Sequence, residues 1–466
     1  MLFSSLEFLF LYMLVSLPLY FLTPIKWRCV TLLAVSLVFY GWGEPLYLFL
    51  MIFTIAVDYL FGLVVGKNRD NKKGKIALIA AIVINLGILA FFKYFDFFVI
   101  NLAKIPALSS LEPLGIEMPI GISFYTFQSL SYVIDVYRCD AEAQKNPIAF
   151  GTYVTLFPQL IAGPIVRYKD VDDQLTSREH SVALAASGAR TFIAGLGKKV
   201  IIANTAGALW QAALAIPDAE RTAVAAWMGI LWYTAQIYFD FSGYSDMAIG
   251  LGKILGFRFL ENFNYPYISK SITEFWCRWH ISLSSWFREY LYIPLGGNRV
   301  SKGRMYLNLF IVWFLTGFWH GSGWTFILWG LYYFALLAIE KAFLGKWIEK
   351  LPSIFRHLYT MVAVVFGWLL FASPDISSCF AYLKTMFGLG AGFANGLDLY
   401  ELARNLIFAA IAVVGATPLP KKLFMKLYKK SAATSALAVV GSVALLLLVV
   451  AYLVDSSFNP FLYWSF

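Results

Sequence analysis

The stretch FIVWFLTGFWHGSGWTFILWGLYYF, residues 310–334, places His320 among apolar, aromatic and glycine neighbours. It divides into two candidate membrane spans, 306–319 and 325–342, each apolar enough to sit in a bilayer. An ionisable side chain at that depth is a functional-site hypothesis by default. Imidazole takes up or releases a proton near neutral pH, which few other side chains do. The alternative is a core histidine that donates one hydrogen bond to a neighbouring carbonyl. Gly317, Gly321 and Gly323 thin the helix wall beside it and admit either a close backbone or a narrow ligand. Trp319, Trp324 and Trp329 would wall such a passage, each offering one N–H donor.

Working outward, the same apolar character fills the chain. It has 466 residues, of which 60% are hydrophobic and only 14% charged. Soluble domains carry about 25% charged residues, so this is an all-α integral membrane protein. Apolar windows run from 8–22 through 119–136, 200–215, 224–239 and 402–414 to 433–454, giving roughly ten to twelve spans. The first window lacks a basic flank and a small-residue cleavage site, and is expected to be a retained span. The net charge of +10 fits basic loops beside anionic lipid rather than nucleic acid. The four cysteines show no paired spacing, so neither a disulfide framework nor a zinc or other metal site is expected.

Lys and Arg collect in four places, 67–75, 258–304, 341–356 and 421–430. Placing all four in the cytoplasm alternates the spans consistently and leaves both termini outside. Two stretches depart from plain spans. FPQLIAGP, 157–164, puts two prolines and a glycine in an apolar run, so a re-entrant segment is expected near 147–166. Residues 257–304 are polar yet dense in aromatics. There Ser271 and Glu274 form a capping-box signature, and Phe275, Trp279, Leu283 and Trp286 follow at helical spacing. That reads as helices lying in the cytoplasmic interface.

The other candidate groups have local explanations. His280, in that interfacial segment, reads alone as a surface or capping histidine. Asp240 and Asp246 sit near Ser242 and Gly243, where short polar side chains bond backbone. Asp58 is a weaker candidate, Lys93 and Asp96 are expected to pair across one turn, and Lys198–Lys199 to mark a cytoplasmic helix end. His180 reads as solvated and His357 as interfacial. Nothing resembles a serine elbow, a P-loop or a dinucleotide fingerprint. The available chemistry is acid–base work by histidine.

Six motifs together resemble the membrane-bound O-acyltransferase family: FYTFQSLSYVIDVYR (124–138), FPQLIAGPIVRY (157–168), QIYFDFSGYSDMAIGLGKILGF (236–257), ENFNYPY (261–267), EFWCRWHISLSSWFREYLYIPLGGNR (274–299) and WHGSGWTFILWG (319–330). The resemblance is greatest to its bacterial alginate O-acetylation branch, which the terminal motifs LFSSLEFLFLY (2–12) and FNPFLYWSF (458–466) also resemble. It implies a single domain over 1–466, with 257–304 as the cytoplasmic segment and 305–342 as a catalytic helix pair. It further implies spanning, re-entrant and interfacial helices around a central tunnel, in a bacterial inner membrane.

The activity implied is movement of an acetyl group from cytoplasmic acetyl-CoA to an extracytoplasmic polysaccharide, assisted by a separate acetyltransferase partner. His320 matches the family's intramembrane histidine and His280 its second histidine. Arg278, Arg288 and Arg299 are the candidates for the donor's phosphates. Cys277 stands where the branch usually has a basic residue, and Glu289 where it usually has aspartate. Two other readings stay open: a multi-span transporter, and D-alanyl transfer to teichoic acid. Asp240 is the candidate to orient His320.

Overall fold

The computed structural model of the chain describes residues 1–428, 430–455, 458–460 and 462, so the end of the terminal motif lies outside the described residues. The regular elements of those residues are all helices. Large apolar side chains such as Leu22, Leu46, Ile407 and Val454 point outward. Such a surface suits lipid as the solvent, because a helix satisfies its own backbone groups there. Among the described residues, seven helices are long and apolar enough to cross a membrane: Ile25–Gly43, Tyr47–Lys67, Lys72–Leu102, Val182–Ala215, Trp324–Ile348, Ser353–Ala372 and Ala432–Asp455. An eighth arises if Leu406–Gly415 and Leu419–Tyr428, bent by 70°, form one broken span.

This count is lower than the apolar windows suggest, and the reason is physical. Windows 119–136, 224–239 and 306–319 are helical too, in Ile122–Arg138, Ala223–Ile254 and Lys302–His320. They carry buried polar side chains instead of a purely lipid-compatible surface, including Gln128 and Asp135, Asp240 and Ser242, Asn308 and His320. A helix surrounded by protein has no need of a lipophilic exterior.

The chain divides into two compact units, residues 1–192 with 244–261, and 193–243 with 262–466. In the first, Asp58 is buried and its carboxylate accepts from Asn85 Nδ2 at 2.6 Å. The expected pairing of Lys93 with Asp96 is not formed. Asp96 accepts the backbone N–H groups of Leu114 at 2.8 Å and Ile116 at 3.1 Å, while Lys93 Nζ donates to Ser123 Oγ at 3.4 Å. Two fixed amide donors satisfy a carboxylate at less entropic cost than one long flexible ammonium. At 147–166 the backbone is broken, as its prolines imply, into Pro147–Thr155 and Phe157–Leu160, buried from Ala149 onward.

The second unit holds both candidate histidines. Its framework is the pair Lys302–His320 and Trp324–Ile348. These two backbones approach closely at Gly317 and Gly330, where a Cβ on residue 330 would lie 3.0 Å from the Gly317 Cα. Glycine here serves helix–helix contact, one of the two uses open from sequence. Gly321 is pressed by the Phe326 ring.

The short helix Ile272–Arg278 is anchored to the same framework. Ser271 Oγ caps it by accepting Glu274 N–H at 3.0 Å. Glu340, at the far end of the second framework helix, accepts Ile272 N–H at 2.7 Å, Thr273 N–H at 3.0 Å and the Thr273 hydroxyl at 2.8 Å. A buried carboxylate on a helix N-terminus is favoured by charge and by hydrogen bonding together.

The aromatic face expected over 275–286 is interrupted. Its first helix ends at Arg278, and the next runs Ile281–Phe287. Phe275, Trp276, Trp279 and Trp286 are buried in protein. The segment is part of the core, so its rings pack against other rings instead of against lipid.

Candidate active site

His320 is the last residue of its helix and is 3% exposed. Its Nδ1 lies 2.7 Å from the Thr316 carbonyl oxygen, one turn back. A carbonyl only accepts, so Nδ1 carries the proton and Nε2 is the basic nitrogen of the neutral ring. The imidazole packs against Trp329, Trp319 and Phe371, with ring centroids 4.8, 5.0 and 5.6 Å away. Both readings of His320 therefore meet: it donates one core hydrogen bond, and that bond makes Nε2 the basic nitrogen.

His280 lies at the break between the two short helices, in a left-handed conformation with φ of 45°. Such a backbone is costly for a side chain with a Cβ, and persists where the surroundings over-determine it. It is 1% exposed, not the surface histidine that sequence position suggested. Its Nδ1 is 3.1 Å from Asn262 Oδ1. The same oxygen accepts the Ser282 N–H at 3.3 Å and the Ser282 hydroxyl at 2.8 Å. The backbone N–H identifies that atom as the amide oxygen, so His280 must donate from Nδ1. His280 Nε2 is then a buried acceptor with no partner among the described residues.

Burial first, and next the neighbouring His320, hold the His280 imidazole well below its ordinary value of 6.5. Trp319 touches both imidazoles, at 6.4 Å from His280 and 5.0 Å from His320. Phe241 packs edge-on against His280 at 4.6 Å. Two buried imidazoles thus share one aromatic wall, and each has its Nδ1 proton committed. Asn262 and Thr316 have no signature in sequence. ENFNYPY flagged the neighbourhood of Asn262 but not its role.

A cleft of about 500 Å³ is lined by Asn264, Tyr265, Ile268, Arg278, Lys421 and Lys422, among others. Arg278 is half-buried and held by Glu274 at 2.9 Å and by the Asn264 carbonyl at 3.0 Å. Arg288 and Arg299 are exposed and do not line this cleft. The cations that join Arg278 come from 421–422, which sequence reading used only for topology. The cleft's Asn264 is two residues from Asn262, so cationic cleft and His280 share one turn of chain.

Asp240 does not orient His320, nor does it bond local backbone. Its carboxylate pairs with Lys199 at 2.7 Å, both side chains fully buried, and accepts the Leu462 N–H at 3.1 Å. Lys199 also donates to Asn204 Oδ1 at 3.0 Å. A buried ammonium outcompetes distant imidazoles for a carboxylate, so 198–199 is not a surface helix end. Asp246 belongs to the first unit. His180 is exposed, with Nε2 at 2.8 Å from the Tyr20 hydroxyl. His357 Nδ1 lies 3.2 Å from the Ser269 carbonyl. Cys277 is exposed.

Comparison with known proteins gives this arrangement its context. The profile of the membrane-bound O-acyltransferase family matches residues 143–383. The chain is 46% identical over 406 residues to the protein named "Probable alginate O-acetylase AlgI" of Pseudomonas aeruginosa, covering 86% of this chain and 78% of that one. To the peptidoglycan O-acetyltransferase of Helicobacter pylori it is 36% identical, over 80% and 75% of the two chains. To the teichoic acid D-alanyltransferase of Bacillus subtilis it is 32% identical, over 54% and 68%. On this profile match and these identities, the chain is a multi-pass membrane enzyme belonging to the membrane-bound O-acyltransferase family.

Proposed function

We propose that this enzyme moves an acetyl group from cytoplasmic acetyl-CoA to a hydroxyl of an extracytoplasmic polysaccharide, alginate-like or another cell-surface glycan. The observation that carries the reading is the pair of buried imidazoles with both Nδ1 protons committed, so that Nε2 is the basic atom of each. His320 Nε2 takes the proton of the acceptor hydroxyl, whose oxygen attacks the thioester carbonyl carbon. The C–S bond breaks, and the imidazolium returns the proton to the thiolate. An acetyl-histidine intermediate is the two-step version of the same transfer.

His280, on the other side of Trp319, is the second basic site and serves proton movement or substrate positioning. Arg278, with Lys421 and Lys422, receives the phosphates of the donor. Arg288 and Arg299 act at most on the surface field. The two acetylase relatives align over more of this chain than the D-alanyltransferase does, which favours acetyl over alanyl. A separate extracytoplasmic acetyltransferase completes delivery to the polymer.

The test incubates membranes containing the protein with radiolabelled acetyl-CoA and separately with a D-alanyl carrier thioester. Acetyl label should pass to glycan and be lost in His320→Ala with the protein still folded. Transfer unchanged in that variant rules out the mechanism. Transfer of alanyl alone assigns the other acyl group.

A further inference from the structure

Three hydrogen-bond donors near His320 have no acceptor among the described residues. They are Trp276 Nε1, Trp329 Nε1 and the Tyr333 hydroxyl, on residues that are 8%, 1% and 0% exposed. Buried polar groups are otherwise paired as a rule, and nearby rings obey it. Trp227 Nε1 donates to the Met386 carbonyl at 3.0 Å, and Trp368 Nε1 to the Tyr267 oxygen at 3.1 Å. Tyr332 donates to the Ala363 carbonyl at 2.8 Å, and Tyr382 to that of Ala226 at 2.9 Å.

The three exceptions are contiguous. Trp276 lies edge-on to Trp329 at 5.5 Å and to Tyr333 at 4.8 Å, and Trp329 is 5.3 Å from Tyr333. Trp329 also packs against His320, at 4.8 Å. Residues 329 and 333 are one turn apart on one helix, so the rings that carry the donors form a short file that reaches the imidazole. On the antiparallel partner helix, Trp313 packs beside Trp276 and Tyr333, toward the end that carries Lys302 and Arg304.

A file of unmatched donors calls for a ligand rich in acceptors. Resting on the acetyl-CoA reading above, a pantetheine thioester has that character: a thioester carbonyl at its tip and two amide carbonyls behind the sulfur. We infer that Trp329 Nε1–H is the oxyanion donor of the transfer, and that Trp276 and Tyr333 donate to the carbonyls of the pantetheine arm. As the acceptor oxygen bonds the carbonyl carbon, the π pair moves onto the carbonyl oxygen, where Trp329 donates. Collapse restores the C=O bond and breaks C–S, and the thiolate takes from His320 the proton that the hydroxyl gave up. A donor fixed in a water-poor site favours the charged oxygen over the neutral one, and so acts mainly on kcat.

The test measures acetyl transfer and thermal unfolding for Trp329→Phe, Trp276→Phe and Tyr333→Phe. Trp329→Phe should lower kcat about a hundredfold with KM for acetyl-CoA held within about twofold. Tyr333→Phe and Trp276→Phe should raise that KM several-fold with kcat largely kept. A merely packing role predicts a lowered unfolding temperature without this split, and that result overturns the inference. Folded Trp329→Phe with parental kcat also overturns it.

Should Trp329→Phe not fold, unaltered protein decides through inhibition. The probes are two ketone analogues of acetyl-CoA with methylene in place of sulfur, one bearing methyl and one bearing trifluoromethyl on the carbonyl; only the second readily adds a hydroxyl to become a tetrahedral alkoxide. The trifluoromethyl ketone should bind about a hundredfold more tightly, and equal binding overturns the assignment. If unaltered protein transfers no acetyl from acetyl-CoA, the parent reading fails, and this one with it. Transfer that survives in all three variants sinks only the donor file.

Discussion

Replacing Asn262 by alanine removes the acceptor on which the His280 site is built. Asn262 Oδ1 serves three donors, and the residues involved are all buried: His280 Nδ1, the Ser282 amide and the Ser282 hydroxyl. The hydroxyl can rotate to a new acceptor, but the amide and the imidazole N–H cannot leave. Each buried donor left without an acceptor costs about 1–3 kcal/mol, so the two together cost roughly 3–4 kcal/mol after partial relaxation. The Asn262 backbone carbonyl still accepts Ile281 N–H at 2.9 Å, so the loop keeps its course and the loss stays local.

The functional consequence is separate from the stability loss. Without Asn262 Oδ1 the imidazole proton is free to sit on either nitrogen, and the basic Nε2 is no longer enforced. Asn262→Asp separates the two effects. Its carboxylate can accept the same three donors, but its charge favours imidazolium, so the unfolding temperature should stay near the parent's while transfer falls at neutral pH and recovers as pH rises. The assay is thermal unfolding in detergent, followed by monomer recovery on gel filtration, beside acetyl transfer from pH 6 to 9. If Asn262→Ala unfolds at the parental temperature, the three-donor argument is wrong. If Asn262→Asp shows the parental pH profile, His280 plays no part in turnover.

Three further outcomes follow from the same unit. Asp240→Asn strands the Lys199 ammonium beside a neutral amide, and should cost about 3–5 kcal/mol in unfolding measurements. Lys199→Met with Asp240→Leu should recover much of that, because no lone buried charge is left. Gly330→Ala puts a methyl group against the Gly317 Cα and the Trp313 carbonyl, and should lower stability by about 1–3 kcal/mol. It should also abolish transfer, since it parts the helices that hold His320 and Trp329.

Finally, His280 is depressed in the folded chain, so below its ordinary value of 6.5 the unfolded chain binds a proton that the folded one refuses. Stability should therefore fall as pH drops below about 6.5, by up to about 1.4 kcal/mol per pH unit from this one group. His280→Gln should flatten that part of a stability–pH curve.

What sequence made legible here follows from the range of each physical signal. Apolar windows and the Ser271–Glu274 cap are short-range, and the structure has helices and a cap at those places. The count of spans was less legible, because a helix walled by protein, such as Ile122–Arg138, keeps apolar period yet carries Gln128 and Asp135 inside. The break at His280 was hidden for a related reason. Phe275, Trp279, Leu283 and Trp286 fit one helix by spacing, and only the Asn262 side chain and the left-handed φ stop it.

Partners of buried polar groups were the least legible, since a hydrogen bond leaves no periodicity. Asp240 could be assigned to an imidazole or to local backbone with equal ease until Lys199 was seen beside it. The same limit points to where function sits. Trp329 was legible as an indole donor near His320, but that its Nε1–H is unpaired among the described residues leaves no trace in sequence. His320 was visible as a residue whose burial is costly, while the Thr316 bond that sets its tautomer was not. In Trp329, Tyr333, Trp276 and His280 alike, a buried polar atom is unmatched among the described residues. Unmatched donors on a contiguous set of rings that reaches one imidazole, together with basic nitrogens, are what a transferring acyl group and its acceptor hydroxyl require.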